Sequence, residues 1–250
     1  MTAALVAQGL TITYGSLRAL DDVTVTVPAG TTTAVIGPNG SGKSTFLRVA
    51  AGLIPLARGT VAVPARQALG GVSLVLQSTD LDASLPLTVA EAVRMARYRR
   101  VGIARRMGPA DRLAIESAIE RLELTSLTGR QLGELSGGQR QRVLVAQGLA
   151  QEADLLLLDE PFTGLDVASR HRILEVVAAE RAAGRTVIMS THDLDDARRC
   201  DLVMLVATRL IGFGAPHVAL TPSALREAYG GRLVRLDDHA LLLDDPHHHG

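Results

Sequence analysis

Several residue types are scarce in this sequence of 250 residues, and each scarcity excludes a class of protein. The single cysteine, Cys200, excludes an intramolecular disulfide and a cysteine-ligated metal cluster, so we expect it to be a buried core thiol. Aromatic residues make up 2% of the chain and the formal net charge is +0. Nucleic-acid binding needs basic surface or stacking rings, so we expect no nucleic-acid partner.

Long hydrophobic runs are also missing. No apolar run approaches the roughly 18 residues that a membrane-crossing helix needs, and the N-terminal residues lack the pattern of a signal peptide. We therefore expect a soluble, cytosolic chain. Because 47% of the residues are hydrophobic, the chain can bury one large α/β domain, or a core with a smaller subdomain.

Lysine is the scarcest basic residue, and its position is informative. Of the 26 lysines and arginines, only Lys43 is a lysine, and it lies in the pattern G-x-x-x-x-G-K-[ST]. The apolar run Ala34–Ile36 before it predicts a strand, and Ser44–Ala51 after it predicts a helix. A glycine-rich turn before an ordinary core helix would be the alternative, but it does not explain why every fixed position of the phosphate-loop pattern is present.

The phosphate-loop pattern has a physical basis. Its glycines let successive backbone N–H groups turn toward phosphate oxygens, and the positive end of the following helix adds to the attraction. Lys43 would reach the β and γ phosphates of a nucleotide, and the hydroxyl of Ser44 would hold Mg²⁺. The loop consists of Gly37, Pro38, Asn39, Gly40, Ser41, Gly42, Lys43, Ser44 and Thr45.

Hydrophobic patterning predicts the remaining fold. The alternating segments Val6–Thr13 and Val23–Val27 predict an antiparallel pair, whereas Val61–Val63 and Val72–Leu76 predict short buried strands. We predict a phosphate-loop core of mostly parallel sheet over residues 1–77 and 151–230, with a helical subdomain inserted over about 78–150. Residues 231–250 form a tail whose two apolar runs could pair as strands.

Two strands of the predicted core end in polar side chains. Leu155–Leu158 is followed by Asp159 and Glu160, and a second apolar strand is followed by His192. In open α/β sheets, ligands bind outside the carboxyl ends of the strands. A histidine satisfied at the end of a strand would be the ordinary alternative for His192, but a paired carboxylate in this position favours a functional site.

The segment from Arg94 to Arg112 contains seven arginines and one acid, Asp111. It could be a solvated helix face, or a surface that faces an acidic partner or anionic lipid headgroups. Further along, Ser136 and Gln139 have the spacing of a capping box, which alone would explain a helix start. It does not explain the two consecutive glycines between them, which suit a close backbone approach.

Leu135–Gln139 reads LSGGQ, and with this motif the whole chain resembles the ATP-binding subunit of an ABC transporter. The resemblance implies an ATPase with ATP as substrate and Mg²⁺ as cofactor. It assigns adenine stacking to Tyr14 and contact with Mg²⁺ and the attacking water to Gln77. Asp159 would bind Mg²⁺, Glu160 would deprotonate the water, and His192 would contact the γ-phosphate.

The same resemblance implies that each ATP lies between two copies of the chain, arranged head to tail. Ser136, Gly137, Gly138 and Gln139 would close over the γ-phosphate held by the other copy, and Asp166 would link the two sites. The nucleotide-contacting residues are then Tyr14, the whole phosphate loop 37–45, the signature residues 136–139 and Asp166.

Because the sequence lacks a membrane-crossing helix, the resemblance implies separate permease subunits, contacted by the helical subdomain at the cytoplasmic face of the membrane. The segment Gly129–Glu134 lacks the acidic, glycine-rich insertion of exporters, so an importer fed by a substrate-binding protein is expected. Pro161–Gly164 and Thr221–Gly231, among other stretches, resemble zinc and manganese importers. A siderophore or haem importer, a lipid or drug exporter, and an ABC ATPase that acts on DNA or ribosomes are the alternatives.

Two details fit the resemblance less directly. Ala146-Gln147-Gly148 stands where the family usually has Ala-Arg-Ala, and Arg209 lies where Asn-Gly is common. Neither position belongs to the proposed chemistry. The terminal His247, His248 and His249 could bind metal or form a solvated tail, and these alternatives stay open.

Overall fold

A computed structural model describes residues 2–76, 86–102, 106–230, 233–235 and 241–243 of the chain. Gln77, Arg105 and the terminal histidines lie outside the described residues, so the expectations for them are not tested. Among the helices described, none has both the length and the apolar character needed to cross a membrane.

The secondary structure alternates strands and helices after an N-terminal β part. The strands are β1 (Ala3–Tyr14), β2 (Leu17–Pro28), β3 (Thr32–Ile36), β4 (Arg58–Ala62), β5 (Val72–Val75), β6 (Leu155–Leu158), β7 (Thr186–Thr191), β8 (Leu202–Ala207), β9 (Arg209–Gly214), β10 (Leu233–Arg235) and β11 (Leu241–Leu243). The helices are α1 (Lys43–Ala51), α2 (Val89–Val101), α3 (Pro109–Arg121), α4 (Gly137–Ala150), α5 (Val167–Ala182), α6 (Leu194–Arg198), α7 (Pro216–Ala219) and α8 (Pro222–Tyr229).

The central sheet has six strands in the order β5-β6-β7-β3-β8-β9. All neighbouring pairs are parallel except β8 and β9. The short strands β3, β6 and β7 are buried along their whole length, which is why their apolar residues are consecutive rather than alternating: Ala34–Ile36, Leu155–Leu158 and Val187–Met189. The predicted α/β class with a mostly parallel sheet is confirmed.

A separate antiparallel sheet has the order β2-β1-β4. The predicted pairing of the first two strands is confirmed, but the prediction that Val61–Val63 forms a buried strand was wrong. β4 pairs with the free edge of β1, and most of its residues are exposed. Only Val63, just beyond the strand, is buried. β4 lies at the edge of this small sheet, and Val61 is the one residue of the strand that is partly buried.

The three helices α2, α3 and α4 pack against one another, as predicted for the middle of the chain. Capping boxes start two of them: Thr88 with Glu91 at α2, and Ser136 with Gln139 at α4. One continuous buried cluster joins these helices to the central sheet. The predicted boundary of a helical subdomain near residue 150 therefore stays a prediction.

The last turns of α4 lie very close to the central sheet. A Cβ atom on Gly148 would lie 2.4 Å from Val75 Cγ2 on β5 and 3.3 Å from Leu156 Cδ1 on β6. Cβ atoms essentially never lie below 3.0 Å from another non-bonded heavy atom, so any residue other than glycine would push α4 and β5 apart. Gly148, which stands where the family usually has alanine, thus permits the short distance between α4 and β5.

The arginine-rich segment divides into two groups. Arg97 is buried and fits neither of the two surface interpretations. It donates hydrogen bonds to Asp111 Oδ1 at 2.9 and 2.6 Å, to the Ala150 carbonyl oxygen at 2.9 Å and to Glu152 Oε2 at 2.8 Å. The remaining described arginines of the segment are exposed: Arg94, Arg99, Arg100, Arg106 and Arg112. Arg97 therefore ties α2 to α3 and to the turn after α4.

Removing one partner of this buried ion pair should destabilise the fold. We expect Asp111→Ala to lower the free energy of unfolding at pH 7 by about 3 kcal/mol, because it leaves a buried guanidinium less well paired. Arg97 lowers the pKa of the Asp111 carboxyl below its ordinary value. The stabilisation is therefore present above about pH 4 and is lost as the pH falls through the folded-state pKa.

Urea unfolding at pH 7 and pH 3 measures both effects, and Glu116→Ala on the exposed side of α3 is the matched control. The control should change stability by no more than about 0.5 kcal/mol. An Asp111→Ala deficit that is absent at pH 7, or that grows toward pH 3, would contradict the prediction.

Three other expectations are met. Cys200 is a buried free thiol, and burial raises its pKa to about 12. α8 begins after Thr221 and ends at Gly230, and β10 pairs antiparallel with β11 in the tail.

Candidate nucleotide site

The phosphate loop connects β3 to α1 and is held in a crowded place. Gly42 has φ 100°, and a Cβ atom there would lie 2.5 Å from the Ala19 carbonyl oxygen on β2. A Cβ atom on Gly37 would lie 1.9 Å from the Val206 carbonyl oxygen on β8. Glycine is therefore required at both positions. The loop lies tightly packed between β2 of the antiparallel sheet and β8 of the central sheet.

Lys43 begins α1 and turns its side chain back into the loop. Its Nζ atom donates to the carbonyl oxygens of Gly37 at 2.9 Å and Pro38 at 3.1 Å, and the residue is buried. Burial lowers the pKa of the Lys43 ammonium, and the carboxylates of Glu160 and Asp159 oppose that shift. The loop thus encloses a cation that carbonyl oxygens already orient.

A hydrogen-bond network lies beside the loop, at the carboxyl ends of β6 and β7. Asp159 Oδ1 accepts from the Ser44 hydroxyl at 2.9 Å and from the Ser190 hydroxyl at 2.6 Å. The backbone N–H of Glu160 donates to Ser190 Oγ at 2.8 Å. Ser44 is thereby placed beside the Asp159–Glu160 pair, which is far from it in sequence, as the motifs predict.

Ser190 is a member of this network that sequence reasoning did not single out. It is the last but one residue of β7, and it reaches Asp159 because β6 and β7 are adjacent, with Leu158 opposite Met189. A serine that follows the apolar run Val187–Met189, two residues before a predicted site histidine, is the only sequence signal for it.

Glu160 has an unusual backbone conformation. Its φ is 46°, in the left-handed region that costs a residue with a Cβ atom about 1 kcal/mol. Asp22, Glu123, Glu152 and Thr208 also have positive φ, so the feature is not unique to the site. The Thr163 hydroxyl donates to Glu160 Oε2 at 3.1 Å and so orients the carboxylate.

The signature residues form a second group. The Ser136 hydroxyl accepts from the Gln139 N–H at 3.2 Å, and this cap starts α4. A Cβ atom on Gly138 would lie 3.2 Å from Asp166 Oδ2, so the start of α4 packs closely on the start of α5. Asp166 caps α5 by accepting from the Ser169 N–H at 2.7 Å, which lowers the pKa of its carboxyl.

Two further predicted residues, Tyr14 and His192, lie outside both groups. Tyr14 is half exposed at the end of β1, and its pairing partner Leu17 begins the strand whose Ala19 and Leu20 touch the loop at Gly42. His192 is exposed directly after β7. Among the described residues, no hydrogen bond joins the signature group to the phosphate loop, so one chain presents two separate halves of the predicted site.

A comparison with protein families shows to which family the chain belongs. A family model described as "ABC transporter" matches residues 20–163, more than half of the chain and a span that includes both the phosphate loop and the signature. The chain belongs to the ABC transporter family. Family membership identifies it as an ABC-type ATPase that binds nucleotide.

Curated relatives agree in their names. The zinc transport system ATP-binding protein TroB of Treponema pallidum is 39% identical over 92% of this chain and 88% of its own length. The manganese transport system ATP-binding protein MntB of Listeria innocua is 37% identical over 89% of this chain and 95% of its own. The resemblance to the ATP-binding subunits of zinc and manganese transport systems that the sequence suggested is confirmed.

Solved structures agree in fold. An inward-facing putative metal-chelate type ABC transporter contains a chain with TM-score 0.81 and 25% identity, and the match covers 96% of both chains. An ATP-binding cassette of an ABC transporter, in its ADP conformation, has TM-score 0.77 and 26% identity, covering 92% of this chain and 100% of that one.

Proposed function

We propose that this ABC ATPase powers the import of a divalent metal ion, zinc or manganese, through a separate membrane permease. The observation that carries the ATPase part is the joint position of Lys43, Ser44, Asp159 and Glu160 beside the phosphate loop. The cargo is supported by the names of the relatives, which are zinc and manganese transport proteins over most of the chain.

The residues present fit MgATP. The Ser44 hydroxyl and the Asp159 carboxylate are adjacent oxygen donors, which Mg²⁺ prefers. Ser41 Oγ is buried in the loop without a hydrogen-bond partner among the described residues, as expected of a group that faces a ligand. Mg²⁺ bound to these oxygens would neutralise charge on the phosphates.

The residues of the chain then have distinct tasks in the hydrolysis of ATP. Lys43 holds the β and γ phosphates, and the open N–H groups of the loop bind the remaining oxygens. Glu160 accepts the proton of the attacking water, and His192 and Gln77 contact the γ-phosphate and that water. Because phosphoryl transfer depends mostly on positioning and charge, these contacts supply most of the catalysis.

The proposed site is completed by a second copy of the chain, arranged head to tail. The start of α4 offers Ser136, Gly137 and the N–H groups of a helix N-terminus, which suit a γ-phosphate. Within one chain these groups make no hydrogen bond to the described phosphate loop, and Gly137 has open space where a side chain would be. ATP would therefore close a dimer, and hydrolysis would reopen it.

The permease is expected on the side where α2 and α4 face β5. A cleft of about 320 Å³ opens there, with apolar Val75 and Leu144 and polar Arg99, Gln147 and Gln151 among its lining residues. A short amphipathic segment of a permease would fit such a cleft. The chain would then work at the cytoplasmic face of the membrane, and a substrate-binding protein would deliver the ion on the other side.

The test is to purify the tagged chain from its native membranes together with its permease, and to measure ATP hydrolysis with binding proteins loaded with zinc, manganese, ferric siderophore or haem. Stimulation by the zinc or manganese form supports the proposal. Stimulation by a binding protein loaded with ferric siderophore or haem would support the ATPase function but contradict zinc or manganese as the transported ion. Recovery of ribosomes or DNA in place of a permease would contradict the transport function.

A further inference from the structure

Arg170 lies in the first turn of α5, four residues after Asp166, and its guanidinium reaches across to the turn after β7. Its Nη2 atom donates to Asp193 Oδ2 at 2.6 Å and to Asp196 Oδ1 at 2.7 Å. Its Cζ atom lies 5.8 Å from the centre of the Phe162 ring, which is within the range of a cation–π contact.

Two of these partners, Asp193 and Phe162, lie one or two residues from a residue with a proposed task. Asp193 directly follows His192, and its Oδ1 atom caps α6 by accepting from the Asp195 N–H at 2.7 Å. Phe162 lies two residues after Glu160. Arg170 itself belongs to the helix that Asp166 caps. One guanidinium therefore connects the three segments that carry Glu160, Asp166 and His192.

The local burial indicates that this connection is stronger than an ordinary surface ion pair. The Asp196 side chain is 1% exposed, and its Oδ2 atom has no hydrogen-bond partner among the described residues. Arg170 is the one residue among those described that forms an ion pair with this carboxylate, and Arg199 adds a more distant attraction. A half-buried guanidinium shared by two carboxylates and a ring holds a more definite geometry than a flexible surface pair.

We propose that Arg170 is a positioning residue for ATP hydrolysis, which sets the placement of His192 and Glu160 relative to the start of α5. This inference rests on the proposed ATPase function. Arg170 is not proposed to touch the substrate. It acts through Asp193 on the His192 turn and through Phe162 on the segment after Glu160, so its loss should slow the chemical step without weakening the binding of ATP.

The experiment compares ATP hydrolysis by the purified full chain carrying Arg170→Met, Arg170→Lys or Arg172→Met. Arg172 lies on the same helix but pairs with Glu123 and Glu175, so it is the matched control. We expect Arg170→Met to lower kcat about tenfold, with KM for ATP changed less than about twofold. Arg170→Lys should restore part of kcat, since an ammonium can pair with both carboxylates but does not stack on the ring.

Arg170→Met removes the ion-pair partner of Asp196 and is therefore expected to lower the stability of the fold. A double variant, Arg170→Met with Asp196→Asn, is tested beside it. Thermal unfolding of every variant shows which of them are folded. A folded double variant should show the same selective loss of kcat. If the folded Arg170 variants had unchanged kcat, or if Arg172→Met lost as much kcat, the positioning role of Arg170 would be overturned. The proposed ATPase function would not be affected by either result. A wild-type chain without ATP hydrolysis, both alone and with its permease, would instead remove the proposed function and this inference together.

Discussion

Lys43→Ala is expected to weaken ATP binding by about 2–5 kcal/mol, so that binding disappears at micromolar ATP. Lys43 is the sole lysine of the chain, and its buried ammonium is already oriented by two loop carbonyl oxygens. Without that cation, the N–H groups of the loop alone would offset much less of the negative charge of the triphosphate. Titration of the variant with a fluorescent ATP analogue, followed by competition with ATP, measures the loss.

The control for this variant is Arg48→Ala, which removes a cation from the last turn of the same helix. Arg48→Ala should bind ATP as the wild type does. Thermal unfolding of both variants without ATP separates binding from folding. If Lys43→Ala bound ATP with unchanged affinity, the assignment of residues 37–45 as a phosphate loop would be wrong.

Glu160→Gln is expected to slow ATP hydrolysis by about 10²–10⁴-fold while ATP binding is retained. Glutamine keeps the size and the Thr163 contact of the side chain but cannot accept the proton of the attacking water. If hydrolysis normally reopens a dimer, the variant should accumulate as a dimer in the presence of ATP and Mg²⁺. Single-turnover hydrolysis and sedimentation with and without ATP measure the two effects.

Glu227→Gln, an exposed substitution in α8, is the matched control and should hydrolyse ATP normally without accumulating as a dimer. Normal turnover in Glu160→Gln would remove Glu160 as the base. Slow turnover without a dimer would keep the base and contradict the head-to-tail arrangement.

The features that sequence reasoning predicted correctly depend on neighbours in the chain. The capping boxes at Thr88 and Ser136 are set by residues three positions apart, and the pairing of β1 with β2 follows from two alternating segments joined by a short turn. The phosphate loop is likewise a contiguous pattern between a strand and a helix. Such features can be predicted because nothing distant is needed to form them.

The features that sequence reasoning missed depend on which elements become neighbours in space. Arg97 looks like one more surface arginine until α2 packs beside α3 and the turn after α4. β4 looks like a core strand until it pairs at the edge of the small sheet. Ser190 joins Asp159 only because β6 and β7 are adjacent. No local pattern contains these adjacencies.

The close contact of Gly148 with Val75 also has a mechanical consequence. The contact lies near the carboxyl end of α4. Ser136, the signature serine, lies at the other end of the helix, about 18 Å away at 1.5 Å per residue. A pivot of about 5° around that point would swing the Ser136 end by about 1.6 Å over this length. A rotation of α4 about this contact that is too small to disturb the sheet would therefore be enough to make or break a hydrogen bond at Ser136.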